Sequence, residues 1–180
     1  MRSRLLFQAI GLRGGRPSVV DATAGLGQDA FVLAWAGCRV TAIERSPIVA
    51  ALVQDGLRRA LRSPELAARL GDRLSVVVGD ARLVLKGLSG EQVPEVVYLD
   101  PMYPARRKTA LGRKEMSVLR RVVGNDEDAG ELLDVARSVA RRHVVVKRMR
   151  LAPVLAPGPT RVYEGKTTRY DVYAGGGLGR

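Results

Sequence analysis

Short β-branched apolar runs alternate along the chain with longer stretches whose apolar residues recur at helical spacing. Ser18-Val19-Val20-Asp21, Arg39-Val40-Thr41-Ala42-Ile43, Leu74 to Val78, Val96 to Leu99 and His143 to Val146 read as strands. Between them, Gln28 to Trp35 and Glu131 to Arg141 read as helices. Ser46-Pro47 opens another helix to about Ala60, and Ser63-Pro64-Glu65 opens a short one. In both, serine supplies the N-cap and proline the first helical position, where its missing N–H costs nothing. Two last strands, Thr160 to Tyr163 and Arg169 to Ala174, meet through a Gly-Lys turn with no helix between them.

Strands separated by helices must run parallel, because the connection returns the chain to the same edge. The unbroken apolar run Val96-Val97-Tyr98-Leu99 fits a strand buried on both faces. The last two strands, lacking a crossover, form an antiparallel hairpin at one edge. Right-handed crossovers then leave an α/β, Rossmann-like, doubly wound fold with a mostly parallel seven-stranded sheet. The pattern predicts a single domain over residues 1–180, with a helix or extension over 1–15. It also predicts a proline-rich loop from Ala152 to Pro159 and a flexible glycine-rich tail over 175–180.

Charge changes the picture. Thirty Lys and Arg against 18 Asp and Glu give a net charge of +12. Such a surface attracts polyanions, nucleic acid first among them. Aromatic residues make up only 4% of the chain, which argues against a broad platform for stacking single strands. Cys38 is the only cysteine, so neither a disulfide framework nor a cysteine metal cluster is expected. Apolar runs fall short of the ~18 residues that span a membrane, and no signal-peptide pattern opens the sequence. The expectation is a cytoplasmic protein.

The segment Asp21-Ala22-Thr23-Ala24-Gly25-Leu26-Gly27-Gln28-Asp29-Ala30 carries the first chemistry. A strand ends, a glycine turn follows and a helix begins, which is where open α/β sheets bind ligands. Gly25 and Gly27 allow a cofactor to approach the backbone. Gly25-x-Gly27-x-x-Ala30, with Glu44 about 20 residues on, satisfies the dinucleotide fingerprint, so a nicotinamide enzyme remains open here. A carboxylate at Glu44 suits the ribose hydroxyls of either a nicotinamide or an S-adenosylmethionine cofactor. Arg45 is placed to line the adenine side, and Asp80, followed by Ala81, to accept from the adenine amino group.

Asp100-Pro101-Met102-Tyr103-Pro104 directly follows the fourth strand. It is similar to the Asp/Asn-Pro-Pro-aromatic motif of methyltransferases that act on exocyclic base amines. Such an amine is a poor nucleophile, because its lone pair is delocalised into the ring. Asp100 and a carbonyl near Pro101 would accept its N–H groups and turn the lone pair toward the methyl, while Tyr103 would stack on the base. The target base must leave its stack or be unpaired.

The run from Val20 to Leu52, VVYLDPMYP, the stretch Arg113 to Met116, Val144 to Arg148 and Arg169 to Gly175 resemble the J-type family of bacterial 16S ribosomal RNA guanine-N2 methyltransferases over almost the whole chain. The resemblance implies a class I fold and S-adenosylmethionine as cofactor, with S-adenosylhomocysteine as product and no metal. It also implies methylation of one guanine N2 in 16S rRNA or the small ribosomal subunit. Cofactor contacts then fall on Gln28-Asp29, Glu44-Arg45, Asp80-Ala81 and Asp100, beside Asp21, Thr23, Gly25 and Gly27. Gln28 stands where a basic residue is expected, and Met102 where the general motif has a second proline. Family members also carry a further N-terminal segment. Methylation of another base amine, such as adenine N6, and a catalytically idle RNA-binding module are the other readings.

Basic residues follow the motif: Arg106, Arg107 and Lys108, then Arg113 and Lys114. With Lys147 and Arg148 at the end of the fifth strand they are the expected RNA phosphate contacts. His143, Cys38 and Trp35 read as structural.

Overall fold

A computed structural model describes residues 2–101 and 128–176 of the chain. Its parallel strands are β1 (Ser18–Asp21), β2 (Arg39–Glu44), β3 (Leu74–Val78), β4 (Val96–Leu99) and β5 (His143–Met149). The closing hairpin is β6 (Arg161–Glu164) and β7 (Thr168–Ala174). The helices are α1 (Arg2–Ile10), α2 (Gln28–Trp35), α3 (Pro47–Ala60), α4 (Pro64–Leu70), α5 (Ala81–Lys86) and α6 (Ala129–Val139). The sheet order is β3-β2-β1-β4-β5-β7-β6. Strands β1 to β5 are parallel, and β7 runs antiparallel to β5 and β6, as the missing crossover predicts. The chain reverses its order of winding between β1 and β4, which opens the switch point at their carboxyl ends.

Two apolar layers cover the sheet. On one face α1, α2 and α4 pack on Val19, Val40, Val96, Tyr98 and Val145. On the other, α5 and α6 pack on Val20, Val97, Leu99, Val144 and Val146. The alternation of Val144, Val145 and Val146 between the layers is the period-2 geometry of a strand buried on both sides. Ser46 caps α3 by accepting the Val49 N–H, with Pro47 at the first helical position.

The glycine-rich end departs from the expected flexible tail at its first two residues. Gly175 N–H donates to the Arg142 carbonyl and Gly176 N–H to the Arg137 carbonyl. A Cβ on Gly175 would overlap the Ala140 carbonyl oxygen, so glycine here serves close approach of two backbone segments. The hairpin is pinned by a buried fork of Arg169 on Asp171, at 2.8 and 3.1 Å, and Arg169 also donates to the Arg150 and Ala152 carbonyls.

Candidate cofactor and substrate site

Each expected cofactor residue among the described ones sits at the carboxyl edge of the sheet, where β1, β2, β3 and β4 release their chains. The register pairs Asp21 with Ala42 on one side and Tyr98 on the other, so the loops after β1, β2 and β4 leave the sheet close to the same level. Gly27 takes φ 72°, a left-handed conformation that starts α2, and a Cβ there would press on Val53 at 3.1 Å. Gly25 takes φ 52°. Glycine is therefore required at the turn by backbone conformation and by space together.

Glu44 is 4% exposed, and its two oxygens accept the backbone N–H groups of Gly25 and Ser46, both at 2.8 Å. It braces the glycine loop from the end of β2. Asp80 caps α5 by accepting the Arg82 N–H and is forked by the Arg82 guanidinium at 2.6 to 3.2 Å. Those bonds hold its carboxyl below the usual range. Arg82 also reaches Asp128 at 3.3 Å and Glu131 at 2.6 Å, while Arg45 lies 3.6 Å from Asp128. This charged cluster ties α5 to the start of α6. It gives Asp80 and Arg45 a structural role, and Arg82, which the sequence does not single out, is its hub.

A second network joins the glycine loop to the motif after β4. The Asp100 N–H donates to Thr23 Oγ1 at 2.6 Å. Lys147 Nζ donates to Asp29 Oδ2 and to Asp100 Oδ2, each at 2.7 Å, and the Tyr98 hydroxyl donates to Asp29 Oδ2 at 2.6 Å. Burial, first, and the neighbouring carboxylates then push the Tyr98 hydroxyl well above its ordinary value. The two ion pairs raise the Lys147 ammonium against the opposing effect of burial. Asp21 lies beneath this network, 2% exposed, and accepts the Thr23 N–H at 3.2 Å. Burial pushes its carboxyl up to about 8, with Asp29 and Asp100 adding to the rise and Lys147 opposing it.

Two expected RNA contacts are corrected by this geometry. Arg148 is 4% exposed and donates through Nε and Nη2 to the Pro153 carbonyl, so it anchors the proline-rich loop. Lys147, its neighbour, points to the other face of β5 and is committed to Asp29 and Asp100. Adjacent strand residues face opposite ways, so the pair could not form one phosphate patch. Pro101 is buried directly after β4. Tyr103, Arg106, Arg107, Lys108, Arg113 and Lys114 lie outside the described residues. His143 meets the Ala9 carbonyl at 3.0 Å and Cys38 is fully buried, in keeping with structural roles.

The donor set discriminates between the two cofactors the glycine loop allows. In a chain of net charge +12, five of its 18 acids, Asp21, Asp29, Glu44, Asp80 and Asp100, stand at one sheet edge. With Asp21 keeping its proton, the other four, Asp29, Glu44, Asp80 and Asp100, still outnumber Lys147 and Arg82 bound among them, which suits a ligand carrying a sulfonium and an ammonium better than the pyrophosphate of a nicotinamide dinucleotide. The residues present fit S-adenosylmethionine, and fold and site define a class I methyltransferase.

Comparison with known proteins agrees. The family model described as "Putative SAM-dependent methyltransferase" matches residues 1–175. Ribosomal RNA small subunit methyltransferase J of Thioalkalivibrio sulfidiphilus is 52% identical over 178 residues, covering 98% of this chain and 69% of that protein. The Pseudomonas aeruginosa protein of the same name is 48% identical over 179 residues, covering 98% and 68%. The crystal structure of a SAM-dependent methyltransferase from Neisseria gonorrhoeae superposes with a TM-score of 0.75 at 41% identity, covering 95% of this chain and 66% of that one. An rRNA methyltransferase from Streptomyces viridochromogenes shares the fold at TM-score 0.59 and 16% identity, covering 98% and 84%. The chain belongs to the ribosomal RNA small subunit methyltransferase J family of S-adenosylmethionine-dependent enzymes. It spans about two thirds of the length of these relatives. Among the described residues no helix is long and apolar enough to cross a membrane, and no group of three metal-binding side chains is gathered.

Proposed function

We propose that the chain transfers a methyl group from S-adenosylmethionine to the exocyclic N2 amine of a guanine in 16S ribosomal RNA, as a cytoplasmic enzyme releasing S-adenosylhomocysteine. The observation that carries this reading is the position of Asp100. It leaves β4 at the cofactor edge, held by Thr23 from the glycine loop and by Lys147 from β5.

The bound cofactor supplies an electrophilic methyl on a cationic sulfonium. Asp29 lines the side that receives its positive groups, with the buried, protonated Asp21 beside it, and Glu44 accepts its ribose hydroxyls while bracing Gly25. Asp100, whose carboxylate can accept several donors at once, takes an N–H of the guanine amine. The carbonyl of Pro101 takes the other, and Tyr103 stacks on the base. The amine lone pair then points at the methyl, and positioning supplies most of the rate enhancement. Arg106, Arg107, Lys108, Arg113 and Lys114 neutralise phosphates around the extruded base.

Labelled S-adenosylmethionine incubated with small subunits and with naked rRNA lacking the modification, followed by nucleoside analysis, tests this. Label in N2-methylguanosine, lost in Asp100→Ala with S-adenosylhomocysteine binding retained, is the expected result. Label in another nucleoside, or none while the product still binds, overturns the assigned substrate.

A further inference from the structure

The edge of the sheet opposite the proposed active site carries a second cationic feature. A cleft of about 600 Å³ opens between α1, the turn that follows it, and the ends of α2 and α4. Its lining includes Arg4, Arg13, Arg16 and Arg69 around Phe7 and Trp35, and contains no acidic residue. Arg16 lies two residues before β1, Trp35 ends α2 before β2, and Arg69 lies in the last turn of α4 before β3. The cleft therefore belongs to the amino edge of the parallel strands. The run of α2 from Asp29 to Trp35 sets it back from the cofactor site by roughly 10 Å along the helix axis.

All four arginines are exposed, and among the described residues none pairs with a carboxylate. Elsewhere Arg59, Arg82, Arg142 and Arg150 each have an acidic partner within 4 Å. Of the other exposed arginines, Arg39, Arg58, Arg62, Arg73, Arg141 and Arg161 also lack an acidic partner among the described residues, so what marks the cleft is the gathering of four around one opening. Four guanidinium groups gathered without a counter-charge repel one another, and their compensation must come from outside the chain. Two are already oriented. The Arg69 guanidinium lies 5.0 Å over the Trp35 ring, whose indole stacks on Phe31 at 6.0 Å. Arg16 Nη1 donates to the Leu12 and Gly15 carbonyls at 3.1 and 3.2 Å. A stacked guanidinium keeps its in-plane N–H donors for a phosphate, and prior orientation lowers the entropy lost on binding.

We infer that this cleft is a second RNA-binding surface, in which Arg4, Arg13, Arg16 and Arg69 hold backbone phosphates of rRNA flanking the target base. The inference rests on the proposed RNA substrate. A polyanion with repeated single charges matches four separated guanidinium groups, and the contact is independent of sequence, as phosphate contacts are. The surface fixes how the RNA lies against the domain, while the carboxyl edge chooses the base.

The test compares wild type with the variant carrying Arg4→Gln, Arg13→Gln, Arg16→Gln and Arg69→Gln, binding unmodified small-subunit rRNA between about 50 and about 200 mM salt. Each phosphate contact contributes about 0.7 to 0.9 to the slope of log affinity against log salt, so the slope should fall by about 3. Affinity at the low-salt end should drop at least tenfold, with binding of S-adenosylhomocysteine unchanged. Arg4→Gln with Arg13→Gln, two exposed side chains that make no hydrogen bond or ion pair among the described residues, should remove about half of the slope change and controls for folding. Unchanged affinity and slope in both variants, with wild type still methylating rRNA, overturn the second surface and leave the catalytic reading intact. Failure of wild type to bind or methylate rRNA overturns both.

Discussion

Asp21 gives the fold a pH dependence that can be worked out in advance. Its carboxyl is 2% exposed and raised from 3.8 to about 8, chiefly by burial. In the folded state it keeps its proton while the unfolded chain ionises near pH 4, so between these values the unfolded state binds fewer protons. Stability therefore falls as pH rises through that window, by about 1.4 kcal/mol per pH unit for one proton. From about pH 5.5 to about pH 7.5 the loss is roughly 3 kcal/mol, which in a domain of this size moves Tm by roughly 6 to 12 °C. Asp21→Asn keeps an acceptor for the Thr23 N–H and removes the titration. The assay is thermal unfolding by circular dichroism, without cofactor, over a pH series. All other titrations are common to both proteins and cancel in the difference. The variant should gain on wild type steadily as pH rises, with the difference smallest near pH 4. Parallel curves for the two proteins would refute the buried, protonated Asp21.

Two further outcomes follow from the same geometry. Lys147→Met removes two charge-assisted bonds from a side chain 26% exposed, and should cost roughly 1 to 3 kcal/mol after allowance for solvent. The folded Lys147 pKa is raised, so its own stabilisation is complete below about pH 10, and the deficit should stay flat from about pH 5.5 to about pH 7, below the titration of Asp21 that Lys147 holds down. In turnover assays kcat should fall more than cofactor affinity. Gly175→Ala, which drives a methyl group into the Ala140 carbonyl, should lower stability by about 1 to 3 kcal/mol in denaturant titration, with activity per folded molecule retained.

The sheet and most helices are legible in the chain because their signals are local. Ser46-Pro47 and Ser63-Pro64 mark helix starts at the positions observed, and β1, β3 and β4 match their apolar runs. Helix α5, six residues long, is too short for a helical period to show, and its cap, Asp80, resembles an isolated cofactor acid. Strand β5 runs to Met149, three residues beyond its apolar run, because β7 pairs with it from His143–Ala174 to Met149–Thr168. That extension is tertiary, and it is also what separates Lys147 from Arg148. The acids at the carboxyl edge are legible as positions after strands. Their partners are not, since the contact of Lys147 with Asp29 spans 118 residues and that of Arg82 with Glu131 spans 49.

The packing of α1 on the closing hairpin has a consequence for how the chain is made. The first helix lies against β6 and β7, with Leu5 beside Gly165, so residues at opposite ends of the sequence share one core layer. During synthesis α1 emerges well ahead of β6 and β7, and its apolar side, including Leu6, Ala9 and Ile10, waits for those strands to leave the ribosome. The outer edge of β5 waits with it, unpaired until β7 arrives. Folding therefore closes late and over long range, and a nascent chain halted before Ala174 carries both an open strand edge and an uncovered helix. A truncation that spares every cofactor residue would still release an aggregation-prone chain in place of a smaller working enzyme.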